Sequence, residues 1–310
     1  MNTIMTSLKS TRSILVAVVT LLLLSILIAI YTYKLDALVL HLWKTHVIQK
    51  IYEESSLKLD SYQVSIEAKT ITGIDDDVSG LTYNKETNTL FSVLNGKPLV
   101  VELDPQGNVL RTIEVLGVRD MEGITHVDGN RYVVVDEYYQ KIILIEIADD
   151  AILVDATNAP QISLGITSTV KNKDFEGVSW DERNERLLVV KERNPLSILD
   201  ITGFVENTQT NSRIRISQIE PSVFSNLKLR DFSSITYHDP SGHLVLLSDE
   251  SRMAAEYDFK GNAVSALALW RGFHGLKKSV PQAEGIAIGP DNSVYIVSEP
   301  NLFYVFSPSN

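Results

Sequence analysis

A six-residue motif recurs five times along the chain, and its spacing constrains the fold more than any other feature. The clearest copy is Asp120–Thr125, with the sequence Asp-Met-Glu-Gly-Ile-Thr. The other copies begin at Asp77, Asp174, Asp231 and Gln282. The fourth position of each copy is Gly or Ser, and it recurs at intervals of 43, 54, 57 and 51 residues. A period near 50 residues is typical of radial or stacked repeat architectures.

Each repeat contains short β-rich runs separated by turn residues. In the first repeat these runs cover residues 80–84, 89–94, 99–103 and 109–113, and the turns between them contain Asn, Gly and Pro. Four short strands joined by tight turns describe one antiparallel propeller blade. The sequence therefore predicts an all-β fold, a five-bladed β-propeller of four-stranded antiparallel blades over residues 61–310.

The last repeat offers only three strands, and one strand-like run near the start of the domain belongs to no repeat. That run is Tyr62–Ala68. Because an unpaired blade edge would be exposed, we predict that this run supplies the fourth strand of the last blade and closes the ring. A sixth blade within Ile201–Leu229 is the alternative, since that connection is long for a loop.

An uncharged apolar segment of 21 residues precedes the repeats, from Ser13 to Tyr33. About 20 apolar residues are needed to cross the hydrocarbon core of a bilayer as a helix. A cleaved signal peptide would have a shorter apolar run and a small-residue cleavage site, and a buried core helix would show a polar stripe. We predict a cytoplasmic tail over 1–12 and a single-pass transmembrane helix over 13–33, with the lipid bilayer as its partner.

Residues 34–60 connect this segment to the repeats. Apolar residues recur there at three- and four-residue steps from Leu35 onward, without Gly or Pro. This pattern predicts a helical stalk that packs against the domain or lies at the lipid surface. A dimerising helix is the alternative.

Charge and composition exclude several function classes. The formal net charge is −11, which is unfavourable for general nucleic-acid binding, so no nucleic-acid partner is predicted. The absence of cysteine excludes disulfides, thiolate metal sites and a cysteine nucleophile. The sequence also lacks a nucleophile elbow, a zinc-protease helix and nucleotide-binding glycine motifs.

Two sets of polar residues occupy equivalent positions in the five repeats. The first set precedes the motif glycine: Ser79, Glu122, Glu176, Ser233 and Glu284. The second set ends the second strand: Asn95, Glu137, Glu192, Glu250 and Glu299. Equivalent positions on successive blades form a ring around the axis. Because a hairpin returns to where it began, we expect both sets to meet at one face.

Crowded carboxylates resist joint ionisation unless cations lie nearby. The neighbouring basic residues Lys191, Arg193, Arg119 and Arg252 could pair with some of them. A hard divalent cation is the other source of charge, and Ca²⁺ suits a site made of oxygen ligands. The absence of Cys and His at these positions argues against zinc or copper. The predicted metal ligands are Glu122, Glu137, Glu176, Glu192, Glu250, Glu284 and Glu299.

Other repeated features of the motif have structural interpretations. The aspartate that begins a copy, such as Asp120, is interpreted as a local hydrogen-bond acceptor for backbone amides. The glycine is interpreted as a packing requirement at the crowded axis. His126 and His238 occupy equivalent positions and are interpreted as packing residues.

Several runs resemble the SdiA-regulated family. They are Val78–Asn84, Thr89–Asn95, Asp120–Ile124 and Arg131–Glu137, within a resemblance that extends over residues 62–306. The resemblance implies a β-propeller held in the cell inner membrane, with its C-terminal domain in the periplasm. A likeness to phytase-like esterase propellers implies calcium at the axis. The resemblance implies no assignment of catalytic residues.

Three functions follow as hypotheses. The first is a membrane-anchored, periplasm-facing propeller that binds a small-molecule or protein ligand at its acidic axial face, with Ca²⁺. The second is a metal-dependent hydrolase of phosphoesters, esters or lactones at the same place, in which one of the axial glutamates acts as base. The third is a non-catalytic interaction scaffold.

Overall fold

A computed structural model of the chain describes residues 2–32, 34–41, 55–75, 77–164, 175–193, 195–206, 213–219, 223 and 228–309, with side chains from Arg12 onward. The predicted stalk residues 42–54 and the motif residue Asp174 lie outside the described residues.

Five sheets form the five blades of a propeller. Blade 1 contains β2 (Val78–Asn84), β3 (Thr89–Leu94), β4 (Leu99–Leu103) and β5 (Val109–Leu116), with β9 (Leu153–Asp155) added outside. Blade 2 contains β6 (Met121–Asp128), β7 (Arg131–Asp136), β8 (Lys141–Glu146) and β10 (Gln161–Ser163). Blade 3 contains β11 (Phe175–Asp181), β12 (Arg186–Lys191), β13 (Ser197–Thr202) and β14 (Arg215–Gln218). Blade 4 contains β15 (Ser234–His238), β16 (His243–Ser248), β17 (Met253–Tyr257) and β18 (Ala263–Ala268).

Blade 5 is completed by the N-terminal strand of the domain. It contains β19 (Ala283–Ile288), β20 (Val294–Ser298) and β21 (Leu302–Pro308), and its outer strand is β1 (Tyr62–Thr70). β1 pairs antiparallel with β21, from Tyr62 opposite Pro308 to Thr70 opposite Leu302. The Tyr62 side chain is fully buried, and its hydroxyl donates to the Asn292 carbonyl at 2.9 Å. The predicted five-bladed ring with a borrowed strand is therefore confirmed.

Blade 1 departs from the predicted four-stranded pattern. The short strand β9 leaves the blade 2 segment of the chain and pairs in parallel with β5, with Glu114 opposite Leu153. It covers the outer edge of blade 1, which would otherwise expose unpaired backbone groups. The alternative of a sixth blade is not supported, since the described part of Ile201–Leu229 contributes β14 to blade 3 and no further sheet.

The hydrophobic core is divided into layers between neighbouring blades. In the described residues there are five such layers, one at each blade interface, including the interface of blade 5 with blade 1. Phe91 and Tyr132, for example, pack between blades 1 and 2 with ring centroids 4.7 Å apart. Each blade is thus held by the two beside it, and the closing strand β1 stabilises the whole ring.

The first strands of the blades approach one another closely around the axis. A Cβ atom on Gly80 would lie 2.7 Å from the Glu122 carbonyl oxygen, and one on Gly123 would lie 2.6 Å from that of Glu176. On Gly177 the same atom would lie 2.9 Å from the Cα of Ser234. These contacts are with backbone of the next blade, so the glycine is required by packing.

Hydroxyl side chains link the same strands two residues further along. The backbone N–H of His126 donates to Thr82 Oγ1 at 3.0 Å, and the N–H of Trp180 donates to Thr125 Oγ1 at 3.0 Å. The third bond of this kind runs from the N–H of Tyr237 to Ser179 Oγ at 2.8 Å. The Ser or Thr two positions after the motif glycine therefore links neighbouring blades by a hydrogen bond, a role that its repetition alone did not reveal.

The chain before the propeller begins with helix α1 (Asn2–Thr32). Its Arg12–Thr32 segment has a mean hydropathy of 3.0, none of it is buried, and it is the one described helix long and apolar enough to cross a membrane. Residues 36–41 are helical again, and Ala37 and Leu38 are buried against blades 3 and 4. The predicted stalk helix does not extend through residues 55–58, which are not helical, and a short 3₁₀ helix (Leu59–Ser61) leads into β1.

Replacing Gly123 by Ala should destabilise the propeller, because the new Cβ would overlap backbone that cannot move without separating two blades. Overpacking of this kind costs about 1–3 kcal/mol, or more against backbone, which corresponds to a loss of about 2–12 °C in Tm for a domain of this size. Thermal unfolding of the full chain in detergent, followed by circular dichroism, measures the change.

The matched control is Ser234→Ala, because Ser234 occupies the equivalent position in blade 4 and already carries a Cβ. We expect its Tm to stay near that of the unmodified chain. Equal Tm values for the two variants would contradict the close-approach explanation of the glycine.

Candidate axial carboxylate site

The starts of the first strands and the ends of the second strands enclose a cavity of about 390 Å³ at one end of the propeller axis. Six of the seven predicted ligands line it: Glu122, Glu137, Glu176, Glu192, Glu284 and Glu299. The other lining residues are Asn95, Gly96, Asp120, Arg193, Asp231, Ser233, Asp249 and Gln282. Among these described residues, the lining contains nine carboxyl groups and one guanidinium group. The two sets of equivalent positions thus meet at one face.

A β-bulge turns the motif glutamate towards the axis. The register of the first strand shifts between Met121 and Gly123, so that Glu122 has no partner opposite it on β7. The same shift surrounds Glu176 on β11 and Glu284 on β19. A bulge inserts one extra residue and redirects its side chain. The repeated bulge therefore explains why three glutamates point into one cavity.

Backbone hydrogen bonds hold the second set beside the first. The N–H of Glu137 donates to the Asp120 carbonyl at 2.9 Å, and the N–H of Glu299 donates to the Gln282 carbonyl at 2.8 Å. Each bond joins the end of a second strand to the start of the first strand of the same blade. A hairpin returns the chain to the start of its first strand, which accounts for this placement.

Glu250 is the predicted ligand that does not line the cavity. Its carboxylate lies 3.0 Å from Arg193 Nη1 and 3.4 Å from Lys34 Nζ. Arg193 also forms an ion pair with Glu192. Arg193, which lines the cavity, therefore compensates part of the charge of Glu192 and Glu250.

Two other basic residues lie over aromatic rings. The guanidinium carbon of Arg119 is 3.6 Å from the centre of the Tyr138 ring, and that of Arg252 is 4.7 Å from the Trp270 ring. These stacks are cation–π contacts at the edge of the acidic face. In the described residues, neither arginine forms a salt bridge with an axial glutamate.

The densest part of the cavity is a group of three carboxylates. One oxygen from each of Asp120, Glu122 and Glu137 can be chosen so that all three lie within 4.8 Å of one another. Glu122 and Glu137 are buried, and Glu122 Oε2 also accepts a hydrogen bond from Ser79 Oγ at 2.8 Å. Three oxygens at this separation can contact one divalent cation, with further ligands from water or neighbouring side chains.

The interpretation of the motif aspartate as a local acceptor is right for one copy and wrong for another. Asp231 accepts hydrogen bonds from the Glu250 N–H at 3.1 Å and from Ser248 Oγ. Asp120 instead uses its backbone carbonyl for the local bond and directs its carboxylate into the cavity. Asp249, which directly precedes Glu250 in the sequence and is expected close to the axial glutamates, also lines the cavity.

Burial and mutual repulsion raise the pKa values of the central carboxyl groups. Burial, with the nearby charges of Asp120 and Glu137, raises the pKa of Glu122 from 4.5 to about 8. Burial, followed by the charge of Glu122, raises the pKa of Glu284 to about 9. The pKa of Glu176 is also raised well above 4.5 by burial and by Glu122. At neutral pH, protons are therefore held in the cavity in the absence of a cation.

The opposite end of the axis has a different lining. A cavity of about 260 Å³ there contains Tyr83, Trp180, Tyr237 and both histidines, His126 and His238. His126 Nε2 lies 2.9 Å from the Gly129 carbonyl, and His238 Nδ1 lies 2.8 Å from Ser241 Oγ. Both rings make local bonds at the ends of their strands, and burial lowers both pKa values.

Comparison with known proteins gives the family. The family model described as SdiA-regulated matches residues 54–307, which includes the ring from β1 to the next-to-last residue of β21. The chain belongs to the SdiA-regulated family. The family match does not include α1, and it names no ligand.

Solved structures share the fold of this SdiA-regulated protein at low sequence identity. A glutaminyl cyclase from Myxococcus xanthus is 14% identical, with a TM-score of 0.50 over 80% of this chain and 97% of its own. A luciferin-regenerating enzyme is 11% identical, with a TM-score of 0.50 over 79% of this chain and 95% of its own. At these identities the likeness concerns the fold alone.

The raised pKa values predict a particular pH dependence of stability in a chelator. A carboxyl group with a pKa near 4.5 when unfolded and about 8 when folded keeps its proton longer in the folded state. The free energy of unfolding must therefore fall as pH rises from 4.5 to about 8, by up to about 1.4 kcal/mol per pH unit for each such group. Glu284 extends this fall to about pH 9.

Glu122→Gln should reduce the slope, because the amide does not titrate and can still accept the hydrogen bond from Ser79. The exposed Glu114→Gln is the matched control and should keep the original slope. Tm measured in EDTA between pH 5 and pH 9 gives the comparison. Identical slopes for the two variants would contradict the assignment of the raised pKa to Glu122.

Proposed function

We propose that this protein is a membrane-anchored propeller that binds a divalent cation, with Ca²⁺ the best fit, and through it a small-molecule or protein ligand at the acidic axial cavity. The observation that carries the proposal is the group of Asp120, Glu122 and Glu137, whose oxygens lie within 4.8 Å of one another. The wider cavity adds further carboxylates for a site of higher coordination.

The chemistry of the donors supports a hard cation. The lining residues offer carboxylate, amide and hydroxyl oxygens, and none of the described ones is a histidine or cysteine. Ca²⁺ takes 6–8 oxygen ligands with flexible geometry, whereas zinc prefers nitrogen and sulfur ligands. Ionised carboxylates in this space repel one another, and a bound divalent cation would remove that repulsion.

The membrane part of the proposal is supported by α1. Its Arg12–Thr32 segment is 21 residues long and buries none of its apolar side chains. A helix of this length and composition spans a bilayer or serves as a signal sequence. We favour a retained anchor, because residues directly after the helix make specific contacts with blade 4. The inner membrane, with the propeller in the periplasm, is the location that the family resemblance implies.

Adding Ca²⁺ to the chelator-treated full chain in detergent should raise its Tm. A ligand that binds only the folded state stabilises it by about 2.7 kcal/mol at one hundred times its Kd, or roughly 5–10 °C for a domain of this size. The shift should grow between pH 6 and pH 9, because the cation competes with the protons held by Glu122 and Glu284. Differential scanning fluorimetry with Ca²⁺, Mg²⁺ and Mn²⁺ measures it.

Two variants separate the proposed site from general cation effects. Glu122→Gln should lose most of the shift, while Glu114→Gln should keep it. No shift with any of the three cations, or an equal shift in both variants, would contradict cation binding at the axis. The first of these outcomes would favour the interaction scaffold.

A metal-dependent hydrolase is the second candidate, and the observation that favours it is that Glu192 lines the same cavity outside the group of Asp120, Glu122 and Glu137. A carboxylate placed there could act as general base towards a cation-bound water. Cation-dependent turnover of phosphoesters, esters or lactones that Glu122→Gln abolishes would support this function. A cation-dependent Tm shift without turnover would leave the binding function as the better account.

A further inference from the structure

The end of α1 is fixed to the propeller at the same end of the axis as the acidic cavity. The N–H of Leu35 donates to the Ile30 carbonyl at 2.9 Å, and the N–H of Lys34 donates to the Tyr31 carbonyl at 3.2 Å. Lys34 has a φ of 54°, in the left-handed region. This pair of bonds around a left-handed residue is the Schellman motif, which ends a helix and sets the direction of the chain that follows.

Ion pairs hold the residues immediately after the helix. Lys34 Nζ lies 3.4 Å from Glu250, at the turn between β16 and β17. Asp36 lies 2.7 Å from Arg230, which precedes β15. Ala37 is then buried against blade 4. These contacts begin within two residues of the end of α1, so the helix joins the propeller through a packed connection.

The connecting chain then runs along blade 4 away from the acidic end. His41 contacts the hydroxyl of Tyr257, the last residue of β17, whereas the first contacts of this segment were at the turn before β17. Further along, the N–H of Leu57 donates to Glu256 at 3.2 Å. The order of these contacts places the acidic end nearest the membrane helix and the opposite end furthest from it.

The rim of the acidic end carries exposed aromatic and basic side chains. Tyr138 and Tyr139 follow Glu137 in the turn between β7 and β8, and they are 54% and 47% exposed. Lys97, in the turn between β3 and β4, and Arg119 are also exposed. Tyrosine is enriched at the membrane interface, and basic side chains are attracted to anionic headgroups.

We propose that the end of the propeller bearing the axial cavity faces the bilayer that α1 spans, with Tyr138, Tyr139, Lys97 and Arg119 at the lipid headgroup layer. This inference rests on the bilayer anchorage in the proposed function and does not depend on cation binding. Its consequence is that a ligand of the cavity enters along the membrane surface. The opposite end, with Tyr83 and Trp180, then faces bulk solvent.

The absence of cysteine allows a direct test, because each single-cysteine variant of the full chain takes one fluorophore. Lys97→Cys and Tyr138→Cys report on the rim. Thr87→Cys is the matched control, in the exposed turn between β2 and β3 at the opposite end. Each variant is labelled with bimane in lipid nanodiscs containing phosphatidylcholine with a nitroxide on its headgroup, in the presence of EDTA.

We expect the headgroup nitroxide to quench bimane at positions 97 and 138 several-fold more than at position 87. A water-soluble nitroxide should quench all three dyes to similar extents, which shows that they are equally exposed. Quenching at position 87 that equals or exceeds that at positions 97 and 138 would overturn the proposed orientation. Because EDTA is present, that result would not bear on cation binding, which the Tm experiment with Ca²⁺ tests separately.

Discussion

The close approach of the five first strands around the axis is the constraint on which the rest of the structure depends. Backbone of one blade lies against backbone of the next at Gly80, Gly123 and Gly177, where a Cβ atom would come within 3 Å of its neighbours. Hydroxyl side chains join the same strands with hydrogen bonds between blades. Any side chain that the start of a first strand directs inward must therefore share a narrow space with those of the other blades.

This geometry brings buried carboxyl groups close together, and without a cation their ionisation is energetically unfavourable. Three bulged glutamates enter it together with the glutamates that end the second strands, and burial raises the pKa values of Glu122 and Glu284 to about 8 and about 9. The apolar layers between blades and the closing strand β1 must offset that repulsion in the folded state. A bound divalent cation would remove that repulsion, which is the physical basis of the proposed function.

Much of the architecture could be predicted from the sequence because it depends on repetition. The motif spacing gave the blade count, and Tyr62–Ala68, which belongs to no repeat, indicated ring closure, since both follow from counting strands. The strand β9 could not be found in this way, because three residues with one buried side chain carry no distinguishable pattern.

The prediction of the site was less complete, because it too relied on positions that repeat from blade to blade. Equivalent positions determined which side chains reach the axis, and six glutamates do so. Glu250 is the exception, because its carboxylate pairs with Lys34, which belongs to the chain before the propeller, as well as with Arg193. Such contacts differ between blades and leave no periodic signal.

The most direct test of the axial site is the number of protons released when Ca²⁺ binds at pH 7. Titration calorimetry of the full chain in two buffers with different ionisation enthalpies gives this number. At that pH the cation-free cavity holds protons on Glu122 and Glu284, so binding should release at least about one proton per Ca²⁺. Binding without proton release, or no binding at all, would contradict a cation held by the axial carboxylates.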